Sequence, residues 1–354
     1  MRALTIRPGE AGTANVTDVE APETGAGDVL IRTLEVGVCA TDRELIAGAF
    51  GAAPPGQDFL ILGHELVGVV EREAGAFKQG DFVSVRGRRP CASCRACLAG
   101  APDSCTSGGW TERGINGLHG FASDIVVEHV SNVVAVPREL GRLGVLAEPT
   151  AVCERGLRQA FGVGHRQPWR PERAIVVGAG ALGVLATFLL RLSGLEVWTV
   201  ARSPSDTPKA HVVERSGATY HSLEDTTVDA LREEVGGFDV SLATAGATEV
   251  AIDAIRALGP NGVACLLGLD GHDHQVSLNS RLFGVDVVAG NQVVVGSVCS
   301  NPQDWAASIR HLGEIEARWP GALDAVIGLR APLESFEDAL TFSGVKATLI
   351  LDEP

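Results

Sequence analysis

The chain has 354 residues, too long for one ordinary hydrophobic core, so two domains are the default. A hydrophobic content of 45% and a mean hydropathy of +0.16 indicate a packed globular protein, while a formal net charge of −15 and a sequence pI near 5.0 exclude the clustered basic surface that nucleic acid requires. No apolar run reaches the roughly 18 residues of a membrane helix, and the first residues lack the apolar core of a secretory signal, so a cytoplasmic protein with no membrane partner is expected.

Residues 1–35 read as short strands separated by turns, with β-like runs at 4–6 and 29–33. Val36-Gly37-Val38-Cys39-Ala40-Thr41 follows. A cysteine at a strand end with a hydroxyl two residues on can present a thiolate and an alcohol to one pocket; an isolated cysteine is equally at home as a small buried hydrophobe. Gly63-His64-Glu65 then places an imidazole and a carboxylate beside the β run at 66–70. With Cys39 upstream, the set has the nitrogen, sulfur and oxygen donors of an open zinc site.

Cys91, Cys94, Cys97 and Cys105 place four of the eight cysteines within fifteen positions. In a reducing compartment such density favours metal ligation over disulfides. Iron–sulfur clusters use similar spacing, but no Cys-Pro follows the run and the neighbouring candidate site offers His and Glu, which suit zinc. Four thiolates close a tetrahedral site, so this lobe stabilises a loop and leaves no position for a substrate. Residues 111–123 look like a loop entering a strand at 124–128, with Glu112 and His119 as candidate pocket residues or solvated loop residues. Glu148 and Pro149 open a helix expected to run through residue 157, and Pro149 suits a helix start.

From residue 171 the texture changes. A buried-strand run at 173–177 meets Gly178-Ala179-Gly180-Ala181-Leu182-Gly183, and a helix follows through residue 191. This is G-x-G-x-x-G with the strand before and the helix after that a dinucleotide turn requires. The glycines allow close approach of a pyrophosphate, which the helix N-terminus stabilises. The next strand ends in Ala201-Arg202-Ser203. An NAD site usually carries Asp or Glu there. Arg202 instead attracts a 2′-phosphate and Ser203 can donate to it, so NADP is expected over NAD, or both are used. Further strands end near Thr244, Gly268 and Cys299, whose loops are expected to line the cofactor site. Strands alternating with helical stretches imply a parallel, doubly wound sheet. A helix follows residue 305, and residues 323–351 read as strands returning to the first domain.

In this order, Cys39-x-Thr41, Gly63-His64-Glu65, the four-cysteine lobe and G-x-G-x-x-G resemble the medium-chain zinc-dependent alcohol dehydrogenase family over essentially the whole chain. Within it, His64-Glu65, Glu112 ahead of His119-Gly120-Phe121, Glu148-Pro149 and Arg202 look most like the archaeal-type glucose 1-dehydrogenases. The resemblance implies an α/β protein: a GroES-like, β-rich catalytic domain at 1–157 with a structural zinc lobe at 91–105, a Rossmann NADP-binding domain at 158–300, and a return segment at 301–354. It implies two zinc ions per chain. Cys39 and His64 hold the catalytic one, with Glu65 or Glu148 as a third or exchanging ligand, and the cysteine lobe holds the other. Thr41 accepts the substrate's proton, while Glu112, His119 and Glu148 contact the substrate. Gly178, Gly180, Leu182, Gly183, Arg202, Ser203, Thr244, Gly268 and Cys299 fall to the cofactor. Family members are homodimers or homotetramers.

The chain also departs from the glucose enzymes, which generally carry Asn at the position of Cys299, His near Ala289, Asn near Gly87, and a polar or acidic residue at Val152. Fewer polar partners discriminate hydroxyls less sharply, so another aldose, a sugar alcohol, an aminocyclitol-type intermediate or a plainer secondary alcohol stays open as substrate. The competing functions are an NAD-dependent threonine or sorbitol-type dehydrogenase and, in another class, a zinc-ribbon binding protein without turnover.

Overall fold

A computed structural model describes residues 1–271 and 273–352. The last two residues of the expected return segment lie outside them. The chain divides into two compact units, one of residues 1–148, 301–313 and 327–354, the other of residues 149–300 and 314–326. The break falls inside the helix Ala147–Gly164, ahead of the expected boundary after residue 157. Among the described residues no helix is long and apolar enough to cross a membrane.

The first unit is built on a mixed sheet. Its strands run in the order Val133–Ala135, Phe82–Val85, Glu65–Arg72, Asp28–Val38, Lys346–Ile350 and Ile327–Pro332, with Ile125–His129 also paired to Asp28–Val38. Glu65–Arg72 lies in the middle, and its Leu66, Val67 and Val70 are fully buried, as β-branched and aliphatic residues on a central strand should be. Ile31, Val36, Leu66, Val85, Phe121 and Leu349 share one core. The register is set by long-range pairing: Gly37 stands opposite Glu65, and Ala347 opposite Val38. A small sheet of Arg88–Arg89, Thr111–Arg113 and Gly117–Leu118 stands apart. The stretch 111–123, expected to be a loop, therefore carries two short strands, because Asn116 folds back to accept the amide of Glu112.

The second unit holds six parallel strands in the order Thr219–Ser222, Glu196–Ala201, Arg173–Val177, Phe238–Ala243, Leu258–Leu266 and Val293–Gly296. Read in chain order this is the doubly wound 3-2-1-4-5-6 arrangement. Ala174 to Val177 is buried throughout, the continuous apolar run of a strand covered on both faces. The closing stretch, expected as strands alone, also contains the helices Ala322–Val326 and Phe336–Thr341. The helix after residue 301 spans Pro302–Arg318.

Candidate active site

Cys39 leaves the end of strand Asp28–Val38 and caps the helix Ala40–Ile46. Asp42 sits at the third helical position, where its Oδ2 accepts the Cys39 amide at 2.8 Å. The other oxygen of Asp42 lies 3.4 Å from Nδ1 of His64. His64 belongs to the loop ahead of strand Glu65–Arg72, so one carboxylate fixes both the turn that presents the thiol and the orientation of the imidazole. Burial pulls the His64 pKa down, but the Asp42 charge and hydrogen bond, together with Cys39, raise it well above the ordinary value. Burial pushes Asp42 up, yet its attraction to His64 outweighs this and leaves it lowered. Thr41 stands half-buried in the first turn of the same helix.

The Cys39 sulfur, a His64 nitrogen and a Glu65 oxygen lie within 4.8 Å of one another. Thiolate, imidazole and carboxylate are zinc donors, and the buried Asp42–His64 contact supplies the outer support such a ligand usually has. The residues present therefore fit zinc.

Glu65 is also ion-paired with Lys346, and both side chains are about 2% exposed. The Lys346 ammonium donates to the Val38 carbonyl at 3.0 Å. Burial lowers the Lys346 pKa, but Glu65, Cys39 and Asp42 together hold it above its ordinary value. Gly37 makes this pair possible: a β-carbon there would stand 2.0 Å from Glu65 Oε2 and 2.9 Å from Lys346 Cε. Glu148, at the first turn of helix Ala147–Gly164, is pushed up to about 8. Burial does most of this, Glu65 and Glu112 add to it, and His64 and Lys346 oppose it.

Glu112 is buried in the middle of its short strand and is held by Arg88. His119 is fixed at both ring nitrogens. Its Nδ1 accepts the Ile61 amide at 3.2 Å and its Nε2 lies 2.6 Å from Gln57 Oε1, while Phe59 stacks on the ring at 4.8 Å. The amide bond fixes the tautomer, so Nε2 carries the hydrogen. A substrate contact from His119 would have to displace one of these partners.

The sulfurs of Cys91, Cys94, Cys97 and Cys105 also lie within 4.8 Å of one another. Cys94 and Cys97 donate their amides to the sulfurs of Cys91 and Cys94 at 3.3 and 3.4 Å. Hydrogen bonds from Ser107 and Ser93 hold Cys91 down to about 5, and amides hold Cys94 down to about 7. Such bonds favour the thiolate, the form a metal binds.

In the second unit, Gly180 caps helix Ala181–Leu192 with no side-chain hydrogen bond at the cap. A β-carbon on Gly180 would meet nothing within 4 Å, whereas one on Gly183 would stand 1.9 Å from the Gly178 carbonyl. One glycine leaves the helix N-terminus open, and the other lets the helix pack on the strand turn. An open, uncapped N-terminus at the switch point of this sheet fits a pyrophosphate. Thr244 donates to the Val177 and Gly178 carbonyls, each at 3.2 Å, and the Leu182 carbonyl accepts from the buried Cys153 thiol. Arg202 is exposed at the end of the second strand. Ser203 uses its carbonyl to accept from Tyr220 at 2.8 Å. Gly268 follows strand Leu258–Leu266. Cys299 holds φ +63°, a left-handed conformation unusual for cysteine.

Sequence reasoning missed Asp42, Lys346 and Arg88. Asp42 carries a local signal, an acid three residues after a helix-capping position. Lys346 carries a weak one, as one of only three lysines in a chain otherwise rich in arginine.

Residues 25–138 match the alcohol dehydrogenase GroES-like domain, and residues 141–349 match the glucose dehydrogenase C-terminus. The chain is 41% identical over 345 residues to a glucose 1-dehydrogenase of Methanocella arvoryzae, covering 96% of each chain. Glucose 1-dehydrogenase 1 of Caldivirga maquilingensis is 36% identical over 97% of this chain and 96% of its own. Among solved structures, a Haloferax mediterranei glucose dehydrogenase in complex with NADP, Zn and gluconolactone superposes with a TM-score of 0.90 at 31% identity, over 100% of both chains.

Proposed function

The chain belongs to the medium-chain zinc-dependent alcohol dehydrogenase family, with its glucose dehydrogenases, and from that premise we propose that it oxidises a hydroxyl of a sugar or polyol, in the manner of a glucose 1-dehydrogenase, with NADP as acceptor. The observation that carries this reading is the convergence of Cys39, His64 and Glu65 donor atoms within 4.8 Å. When bound, zinc supplies Lewis acidity toward the substrate oxygen and NADP supplies the hydride acceptor.

The chain's own residues do the rest. Cys39 and His64 hold the catalytic zinc, with Glu65 or Glu148 as the third ligand; Cys91, Cys94, Cys97 and Cys105 hold the structural one. Asp42 orients His64, and Lys346 holds Glu65 in place whenever that carboxylate is off the metal. Thr41 Oγ1 takes the proton of the reacting hydroxyl and passes it outward. Glu148, where Glu65 is the third ligand, hydrogen-bonds a substrate hydroxyl. Glu112 accepts from a further hydroxyl. On the second unit, the Gly178–Gly183 turn binds the pyrophosphate, Arg202 and Ser203 face the 2′-phosphate, and the loops at Thr244, Gly268 and Cys299 face the nicotinamide half. The chain acts as a homodimer or homotetramer. Strand Val293–Gly296 is the edge of its sheet, and Phe283, Val285 and Val288 nearby are exposed, a surface that favours association.

The test is reduction of NADP+ with a panel of aldoses, polyols and secondary alcohols, in the parent and the Cys39→Ala variant, alongside a zinc count. Two zinc ions per chain and loss of turnover in the variant support the reading. Equal turnover in both proteins sinks the catalytic assignment. One zinc per chain, without turnover, favours a binding protein. NAD binding as tight as NADP, unchanged by Arg202→Ala, favours the threonine or sorbitol-type enzyme.

A further inference from the structure

We infer that Arg88 is a positioning residue for the substrate, acting through Glu112. The inference rests on the sugar-dehydrogenase reading above and adds to it a residue which that reading leaves unused.

Strand Arg88–Arg89 pairs antiparallel with Thr111–Arg113, and Arg88 stands opposite Glu112. Successive residues of a strand point to opposite faces. The two adjacent arginines accordingly reach different carboxylates: Arg88 binds Glu112, and Arg89 binds Glu128. The two pairs differ in purpose. Glu128 is gripped by Arg113 as well, and it also accepts from Asn132 and from the amide of His129. It is a scaffold, tying one strand to its neighbours.

Glu112 is placed differently. Two residues on, Gly114 packs against Gly63, the neighbour of His64: an added β-carbon on Gly114 would stand 2.4 Å from the Gly63 carbonyl, so the strand of Glu112 runs beside the loop that carries His64. Arg88 donates to it through Nε at 3.1 Å and Nη2 at 2.8 Å, both to the same oxygen, Oε2. Its guanidinium lies over the Trp110 ring at 4.1 Å. Each side chain of the pair is 11% exposed. The guanidinium is thus held on its face by an indole and along its edge by a carboxylate, which leaves the Glu112 carboxylate one orientation. Residue 87 is glycine, and even an added β-carbon would only reach van der Waals contact with Oε1, at 3.8 Å. Arg88 therefore keeps Glu112 aimed, so that it accepts from a substrate hydroxyl. Lysine would keep the charge but not the fork, and would lose the planar stacking on Trp110.

The experiment compares the parent with Arg88→Lys, Arg88→Gln, Glu112→Gln and the double variant Arg88→Lys/Glu112→Gln. Each is assayed by NADP+ reduction with the best aldose and with its series of monodeoxy forms. For Arg88→Lys we expect KM for the aldose to rise about tenfold, the loss of one well-made polar contact, with kcat within about twofold. For one deoxy sugar, parent and variant should share the same KM, because the hydroxyl that Glu112 reads is missing. In the Glu112→Gln background, Arg88→Lys should add nothing further.

Equal losses with every deoxy sugar, or full additivity in the double variant, would mean that Arg88 only braces the fold, and would overturn the inference. Should Arg88→Gln fail to fold beside the cysteine lobe, Arg88→Lys carries the test, with zinc content and Tm as controls. A parent enzyme that oxidises no aldose or polyol overturns the functional reading and this inference with it. A parent that does, matched by Arg88→Lys in KM, overturns the inference alone.

Discussion

Lys346→Met should destabilise the first unit strongly. Methionine keeps most of the aliphatic stem and removes the ammonium. The pair it breaks is buried, with both side chains about 2% exposed, so water cannot replace the lost partner. Taking one member from such a pair costs about 3–5 kcal/mol, because the other is left as an uncompensated charge. For a domain of this size each kcal/mol is worth about 2–4 °C, so Tm should fall by roughly 6–20 °C. Part of the loss also comes from the Val38 carbonyl, which gives up its donor. Replacing both partners, as Glu65→Gln/Lys346→Met, should recover much of the deficit, since no bare charge remains. The assay is calorimetry at pH 7 on the parent, both single variants and the double variant, all stripped of the catalytic zinc so that Lys346 is the cation facing Glu65, with metal content checked. The two changes should be non-additive by about 1–3 kcal/mol. The reasoning fails if Lys346→Met melts within about 2 °C of the parent, or if the double variant shows the plain sum of the single effects.

Other outcomes follow from the same geometry. The zinc-free protein should lose stability as pH rises: Glu148 and His64 both have folded pKa values above their unfolded ones, so their contribution is complete below the unfolded values and is lost as pH climbs through the folded ones, near 8 for Glu148. A tenfold gain in proton affinity on folding is worth about 1.4 kcal/mol, and Glu148→Gln should flatten the decline seen in a pH series of denaturant melts. Because zinc must displace these protons, its apparent affinity should rise over the same window, as a competition titration with a chelator would show. Gly180→Ala should lower Tm by no more than the modest loss of a glycine cap, since its β-carbon meets nothing within 4 Å, yet weaken NADP binding about tenfold by crowding the pyrophosphate; Gly183→Ala, by contrast, drives a methyl group onto the Gly178 carbonyl and should lower Tm further. Cys299→Asn should raise stability by about 1 kcal/mol, because asparagine tolerates the left-handed backbone that cysteine resists; a lower Tm would contradict this.

Much of the protein was legible in its sequence, and the legible parts share a property. The cysteine lobe and the Gly178–Gly183 turn are complete within fifteen residues or fewer. Their geometry follows from short-range sterics and from amide groups that the local chain itself supplies: Cys94 and Cys97 donate to sulfurs three residues back, and Gly180 opens its own helix. The alternation of strands and helices from residue 171 onward likewise specified a parallel, doubly wound sheet. His64 and Glu65 could be picked out because they are adjacent and Cys39 lies close upstream.

Only the tertiary structure decided what each charged group faces. Lys346 reaches Glu65 because Gly37 pairs with Glu65 and Ala347 pairs with Val38. Arg88 meets Glu112, and Arg89 does not, because of a single register between two short strands. His119 is committed to Gln57 and Ile61, which lie 62 and 58 residues away in the chain. The pattern of one strand says which residues share a face, but not which strand lies beside it or with what offset, and a slip of one residue turns every side chain to the other side. The donor residues of the site could therefore be picked out locally, whereas their convergence and the partners that hold them were set by the pairing of distant strands.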